Sequence, residues 1–307
     1  MTSLLGSTVG SAEPAGPTPR PTTSPRGQGG WTVFLLLLPA ALLILGMFSY
    51  PLLVAVWRSF SYPELGLQNY QWFVGSEGNI AILLRTLWVA FLTMVICLAL
   101  AYPYAYLMVI SGKRMRNVLL ILVLVPFWTS LMIRTFAWII LLQDSGLVNQ
   151  ALGLVGIEPL QLMRNTTGVL IGMVQVLLPF MVLPLYNAMS GVDPKLMQAA
   201  TSLGARPSVA FLKVFVPLAM PGVLAGSLLV FIQALGFYIT PALLGSPTEM
   251  LISQYIYAQV SGQLEWGRGS VLGVMLLVAV LVLLAAVAAL GQAAKRRTPA
   301  VVQEGRA

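Results

Sequence analysis

Long apolar runs separated by short polar or basic stretches set the pattern of this chain. A helix needs about 20 mostly apolar residues to cross the hydrocarbon core of a bilayer. Six runs reach that length, over residues 31–57, 80–110, 117–142, 168–189, 219–243 and 270–290. They are too long and continuous to be barrel strands, which alternate over about 10 residues. Proline and glycine occur inside several of them, which membrane helices tolerate where neighbours satisfy the freed backbone groups. The pattern predicts an all-α membrane protein with six transmembrane helices.

Composition agrees. Apolar residues make up 58% of the 307-residue chain and charged ones 8%, with a mean hydropathy of +0.88. A soluble globular domain carries about 25% charged residues, so lipid is the expected solvent here. Before Trp31 the chain is polar and rich in Pro, Gly, Ser and Thr, a composition that buries too little apolar surface to fold. The run that follows exceeds a signal-peptide core and leads into further spans, so it is expected to stay as an anchor. The expected organisation is a disordered cytoplasmic tail (1–29), a first helix with its outer loop (30–79), a membrane core (80–292) and a basic cytoplasmic tail (293–307).

Charge adds orientation. The net charge of +8 is split into short clusters between apolar runs, which suits a membrane partner and no nucleic acid. With the N-terminus inside, the inner segments hold Arg20, Arg26, Lys113, Arg114, Arg116, Lys195, Arg206, Lys213, Lys295, Arg296, Arg297 and Arg306. The outer segments hold only Arg58, Arg85, Arg164 and Arg268, and Arg134 falls within a run. Cytoplasmic loops gather Lys and Arg, so both termini are expected in the cytoplasm. With no histidine and one cysteine, Cys97, the chain has no disulfide framework, Cys/His zinc site or histidine triad. No catalytic or metal-ligating residue is expected, and Cys97 reads as a small packing residue.

The inner segment between the fourth and fifth runs is written as a helical hairpin. Asp193 suits an N-cap and Pro194 a first helical position. Leu196, Ala199, Ala200 and Leu203 follow at helical spacing, and Gly204 suits the left-handed residue that ends a helix. Pro207 can open a second short helix bearing Phe211, Leu212 and Phe215, which Pro217 is expected to interrupt. From these residues alone two readings stand: a hairpin lying on the bilayer, or a stripe of small residues docked in a protein cleft.

The stretch Gln198-Ala-Ala-Thr-Ser-Leu-Gly-Ala-Arg206, with Phe211, Phe215, Leu218 and Pro221-Gly222 after it, resembles the cytoplasmic loop of ABC importer permeases. There the pattern runs Glu-Ala-Ala, three residues, then Gly, with a later Pro-Gly. Residues 126–138, Pro-Phe-Trp-Thr-Ser-Leu-Met-Ile-Arg-Thr-Phe-Ala-Trp, and 235–247, Leu-Gly-Phe-Tyr-Ile-Thr-Pro-Ala-Leu-Leu-Gly-Ser-Pro, resemble the spermidine/putrescine type. The likeness covers about residues 80–290 and departs at Gln198, where a charge is lost. It implies a type I importer permease of the bacterial inner membrane, moving a polyamine or related organic cation. The coupling loop to the ATPase would comprise Leu196, Gln198, Ala199, Ala200, Leu203, Gly204, Ala205, Pro217, Pro221 and Gly222. Implied partners are two ATP-binding-cassette ATPases, an external solute-binding protein and a second permease, either a different chain or a copy of this one.

No Gly-x-x-x-x-Gly-Lys-Ser/Thr stretch is present, since Gly112-Lys113-Arg114 lacks the upstream glycine and the hydroxyl residue. ATP and Mg are therefore expected on the partner ATPase, with no cofactor in this chain. Arg134 is the ionisable residue well inside a run, where burial costs about 2.5–3.5 kcal/mol and calls for a partner. It reads as a gate, or as a clamp onto a backbone carbonyl or a carboxylate such as Asp144. Gln175, Gln233, Tyr238 and Thr240 either line a passage or join helices. Trp128 and Trp138 read as interfacial anchors, and Gly222-x-x-x-Gly226 as a close helix contact. The main rival is an ion-coupled secondary transporter, which would carry repeats or intramembrane acids that are not visible here.

Overall fold

The computed structural model describes residues 29–296, and among them every regular element is helical. The two tails expected at 1–29 and 293–307 lie largely outside the described residues. The chain divides into two units, residues 1–52 and 53–307. The described part of the first unit is the start of helix α1 (Gly29–Ser61), apolar on every side and exposed at Leu42, Leu43, Ile44 and Leu45. A helix apolar all round needs lipid or another chain as its solvent.

In the second unit α2 (Gln68–Val74) leads into α3 (Glu77–Ile110), then α4 (Lys113–Leu124), α5 (Leu131–Leu142) and α6 (Leu147–Leu154). Next come α7 (Thr166–Ser190), α8 (Pro194–Ser202), α9 (Pro207–Ala210) and α10 (Val216–Leu235). The last described elements are α11 (Ile239–Leu244), α12 (Ile252–Tyr257) and α13 (Trp266–Arg296). Among the described residues six segments are long and apolar enough to span a membrane: Leu37–Ser61, Glu77–Ile110, Leu131–Leu154, Thr166–Ser190, Pro207–Leu235 and Trp266–Ala289.

α3, α7 and α10 pack together as the core. α3 offers small residues, with Thr93, Cys97, Ala101 and Ala105 fully buried at four-residue spacing. α7 answers with a ridge of larger ones, Met173, Leu177, Met181, Leu185 and Met189, also fully buried and four apart. Side chains four apart share one helix face, so a shallow ridge meets a tall one. The Cys97 thiol points at the Val174 carbonyl at 3.7 Å, consistent with a packing role. On α10 the close contact is glycine's: a Cβ on Gly222 would lie 2.4 Å from that of Ala188 and 2.7 Å from the Pro184 carbonyl. One on Gly226 would lie 2.8 Å from the Met181 sulfur. The glycine pair works as helix packing.

Three proline-dependent details differ from the sequence expectation. The third run is broken: a 3-10 turn (Val125–Trp128) and extended Thr129 and Ser130 separate α4 from α5. Pro126 has no N–H to continue the helical ladder, and the Thr129 hydroxyl donates to the Pro126 carbonyl at 3.0 Å, competing with helical bonding where the chain turns extended. The fifth helix stops at Leu235, not at residue 243. Pro241 cannot donate to the Phe237 carbonyl, which instead accepts from the Ser253 hydroxyl at 2.6 Å. Pro217, by contrast, interrupts nothing. Residues 211–215 form a π turn in which the Val216 N–H reaches the Phe211 carbonyl, so the helix runs unbroken from Pro207 to Leu235. The widened turn relieves the crowding that a proline ring imposes on the preceding turn.

Candidate functional site

The hairpin is built as its residues dictate. Asp193 caps α8, its Oδ1 accepting the Lys195 N–H at 2.9 Å. At the other end Gly204 takes φ +88°, and a Schellman closure forms: Ala205 N–H donates to the Ala200 carbonyl at 3.1 Å, Gly204 N–H to Thr201 at 3.0 Å. Both ends are therefore fixed by the α8 sequence itself. Yet α8 buries none of its residues. Leu196, Gln198, Ala199 and Gly204 are exposed, Ala200 and Ala205 are half-buried, and Leu203, just past the helix, is 89% exposed. A rigid helix with an uncovered apolar stripe is shaped to be gripped by something outside this chain. Pro217 and Pro221 are exposed along the following helix, whereas Gly222 is buried against α7.

Behind α8 lies an aromatic joint. Phe211 and Phe215 stack at 5.3 Å, and the Tyr106 ring on α3 meets them edge-on at 5.2 and 5.4 Å. Tyr102, one turn earlier on α3, meets Phe211 at 6.5 Å. Such edge-to-face pairs add about 0.5–1.5 kcal/mol each beyond their buried area. Phe211 and Phe215 were legible in the sequence as the hairpin's second arm, but Tyr102 and Tyr106 were not singled out. Their signal was the four-residue spacing of both pairs, which puts each pair on one helix face.

In the apolar interior, Arg134 and Gln233 come together in a cavity of about 210 Å³ lined also by Phe127, Leu177, Phe180 and Phe237. The Phe127 and Phe180 rings meet edge-on at 5.2 Å. The Arg134 Nε is buried with no hydrogen-bond partner, and among the described residues Arg134 forms no ion pair with Asp144. The other polar candidates lie elsewhere. Gln175 lines a separate apolar groove with Trp138 and Leu100, its Oε1 unpaired. Thr240 is buried against Gly172 of α7, and Tyr238 packs on Tyr257 at 5.1 Å. Trp128 is exposed and Trp138 half-buried.

Against this geometry the known proteins are informative. The spermidine/putrescine transport system permease protein PotB of Escherichia coli (strain K12) is 34% identical over 259 residues, spanning 81% of this chain and 92% of that protein. The chain belongs to the membrane-spanning permeases of ABC importers, in the spermidine/putrescine-type branch. The inner membrane ABC transporter permease protein YdcU of the same strain is 34% identical over 254 residues, covering 75% of this chain and 80% of that one. No family model matches the chain. A crystal structure of a bacterial alginate ABC transporter, bound to an alginate pentasaccharide-loaded periplasmic protein, superposes with a TM-score of 0.68. It covers 83% of this chain and 92% of the other at 19% identity, a likeness of fold.

The permease is thus an inner-membrane transport subunit whose relatives are transport proteins and not enzymes. Gln198 of this permease is exposed, and its backbone carbonyl accepts from the Thr201 hydroxyl at 2.8 Å. Its side chain keeps hydrogen-bonding capacity at the surface without a charge to pair.

Proposed function

We propose that the permease passes a polyamine, or a related organic cation, received from an external solute-binding protein and driven by two ATP-binding-cassette ATPases. The relatives named for spermidine and putrescine transport support the cargo. The observation that carries the coupling reading is α8, capped at both ends and uncovered along its apolar stripe. ATP and Mg belong to the ATPases, whose closure would displace α8 as a rigid lever. The Phe211, Phe215 and Tyr106 rings would transmit that displacement to α3, and the unbroken Pro207–Leu235 helix would carry it into the core. Nucleotide at one end would so bias a rocking of packed helices between two states.

In this reading residues 80–292 form the transport core, the segment 30–79 adds the first helix, and both tails face the cytoplasm. Arg134 and Gln233 serve at a gate, and a polyamine meets Arg134 only when that charge is screened, since like charges repel. Gln175, Tyr238 and Thr240 are assigned to helix joining more readily than to the passage, because they lie on other surfaces.

The test is uptake of labelled spermidine and putrescine into vesicles holding the full importer. Wild-type protein should accumulate them only with ATP. Replacing Leu196, Ala199 and Leu203 with glutamate should strip the ATPases from the purified complex and abolish uptake while membrane insertion persists. Unchanged uptake in that variant would refute the coupling reading, and uptake without ATP would restore the secondary-transporter class.

A further inference from the structure

We propose that Arg134 is a charge barrier: its guanidinium keeps the resting passage closed to cations by repulsion, not by plugging it. The proposal rests on the transport reading and names what the Arg134 gate excludes.

Two helix breaks open onto the Arg134 cavity. Pro126 and Phe127, which line it, belong to the 3-10 turn between α4 and α5. Phe237, also in its lining, lies past the end of α10 at Leu235 and before α11 begins at Ile239. The α7 wall includes Pro179, which has no N–H to offer the Gln175 carbonyl. In a membrane protein, non-helical backbone persists where protein buries it or where it lines a water-filled cavity. Discontinuous helices are also where transporters build the sites that their solutes meet. Two breaks on one cavity therefore point to the passage.

Sterics alone do not seal this space. At about 210 Å³ it has room for several waters, each of which takes about 30 Å³ in the liquid. The Phe127 and Phe180 rings meet edge-on at 5.2 Å in its wall and still leave that volume free. Filled with water, such a cavity admits a small cation unless charge opposes it.

Charge does oppose it. Arg134 and Gln233 are the polar side chains of the lining, and no acidic residue joins them. The Arg134 Nε is buried without a hydrogen-bond partner, and among the described residues Arg134 forms no ion pair. The walls beside it, Phe127, Leu177, Phe180 and Phe237, are apolar and screen a charge far less than water does. Repulsion between cations grows as the dielectric falls and with each added charge. A monovalent ion is turned back, and a polyamine more strongly still. An arginine set in a pore wall bars cations while neutral solutes pass. Gln233 is the side-chain acceptor of the lining, able to take a guanidinium N–H when α5 and α10 shift. The barrier is thus one that an ATP-driven rearrangement lowers and the resting state restores.

The experiment uses the full importer in liposomes loaded with potassium and erythritol, without ATP or binding protein, and follows the efflux of both. Wild type should hold both as empty liposomes do. Arg134→Gln should raise potassium efflux at least about tenfold and leave erythritol efflux unchanged, whereas Arg134→Lys should stay tight. Gln233→Glu keeps the arginine and sets a carboxylate in the same cavity, so it should leak potassium as Arg134→Gln does. It decides the question alone if the arginine variants fail to assemble. Potassium-tight Arg134→Gln, or Arg134→Lys leaking as much as Arg134→Gln, overturns the barrier. Potassium and erythritol escaping together overturns it as well, because Arg134 would then be a plug. A wild-type importer that accumulates no polyamine with ATP and binding protein overturns the transport reading. One that does, beside a tight Arg134→Gln, overturns the barrier alone.

Discussion

At the scale of single residues, two glycines carry opposite kinds of constraint. Gly204 has open space around it but sits at φ +88°, a left-handed conformation that side-chain-bearing residues reach at a cost of about 1–2 kcal/mol. Proline, fixed near −65°, cannot occupy it at all. Gly204→Pro should leave insertion and subunit abundance intact yet uncouple ATP hydrolysis from uptake, measured as substrate moved per ATP. Gly222 has ordinary backbone but no room, because Ala188 and the Pro184 backbone would meet its Cβ. Gly222→Val should force α10 off α7 and destabilise the fold by about 1–3 kcal/mol, read as a lower Tm in detergent. The first variant fails in function with a sound core; the second fails in the core itself.

At the scale of elements, the hairpin is a rigid arm attached through few contacts. α8 touches the π turn and α9, and the π turn meets α3 through Tyr106 and Tyr102. Replacing Tyr106 by leucine keeps the apolar volume but removes the edge-on contacts to Phe211 and Phe215. The expected outcome is near-normal ATPase binding with several-fold less uptake per ATP, since about 1–3 kcal/mol of joint stiffness is lost across two aromatic pairs. A loss of ATPase binding instead would mean that Tyr106 shapes α8 and transmits nothing. Most of this element was legible beforehand: Asp193, Pro194 and Gly204 wrote both ends of α8, and the small-residue stripe wrote its uncovered face. The six apolar runs were legible for the same reason, since length and hydropathy are local properties. Proline's effects were not. Pro126 and Pro241 broke helices that hydropathy joined, while Pro217 sat in a helix that propensity would have broken. At Pro241 the freed Phe237 carbonyl found its partner in Ser253, 16 residues away, which no local pattern announces. The cavity was illegible likewise, because Arg134 and Gln233 meet only after α5 and α10 have packed on α7.

At the scale of the whole molecule, orientation is the property that every functional assignment shares. Three of the four arginines that the proposed orientation puts outside are engaged within the chain. Arg85 donates to the Thr248 carbonyl at 2.8 Å, Arg58 lies 5.0 Å over the Trp266 ring, and Arg268 lies 5.1 Å over the Trp72 ring and 4.0 Å from Glu265. On the opposite side Lys113, Arg114, Arg116, Lys195, Arg206 and Lys213 form no ion pair among the described residues. In the proposed orientation the three engaged arginines staple the outer turns that close the bundle, and the inner cluster keeps its charge free to oppose translocation. Two reporters check this. A fluorescent protein fused after residue 307 should fold and fluoresce, and alkaline phosphatase inserted near Glu158 should be active, because one fold needs the cytoplasm and the other the outside. Arg58→Ala or Arg268→Ala should loosen the outer turns, seen as a lower Tm, without changing either reporter. Neutralising Lys113, Arg114 and Arg116 together should instead yield a mixed population by both reporters, because it strips charge from the loop that separates the second and third spans. If the outer substitutions invert the reporters and the inner ones do not, α8 faces away from any cytoplasmic ATPase and the coupling assignment fails with the orientation.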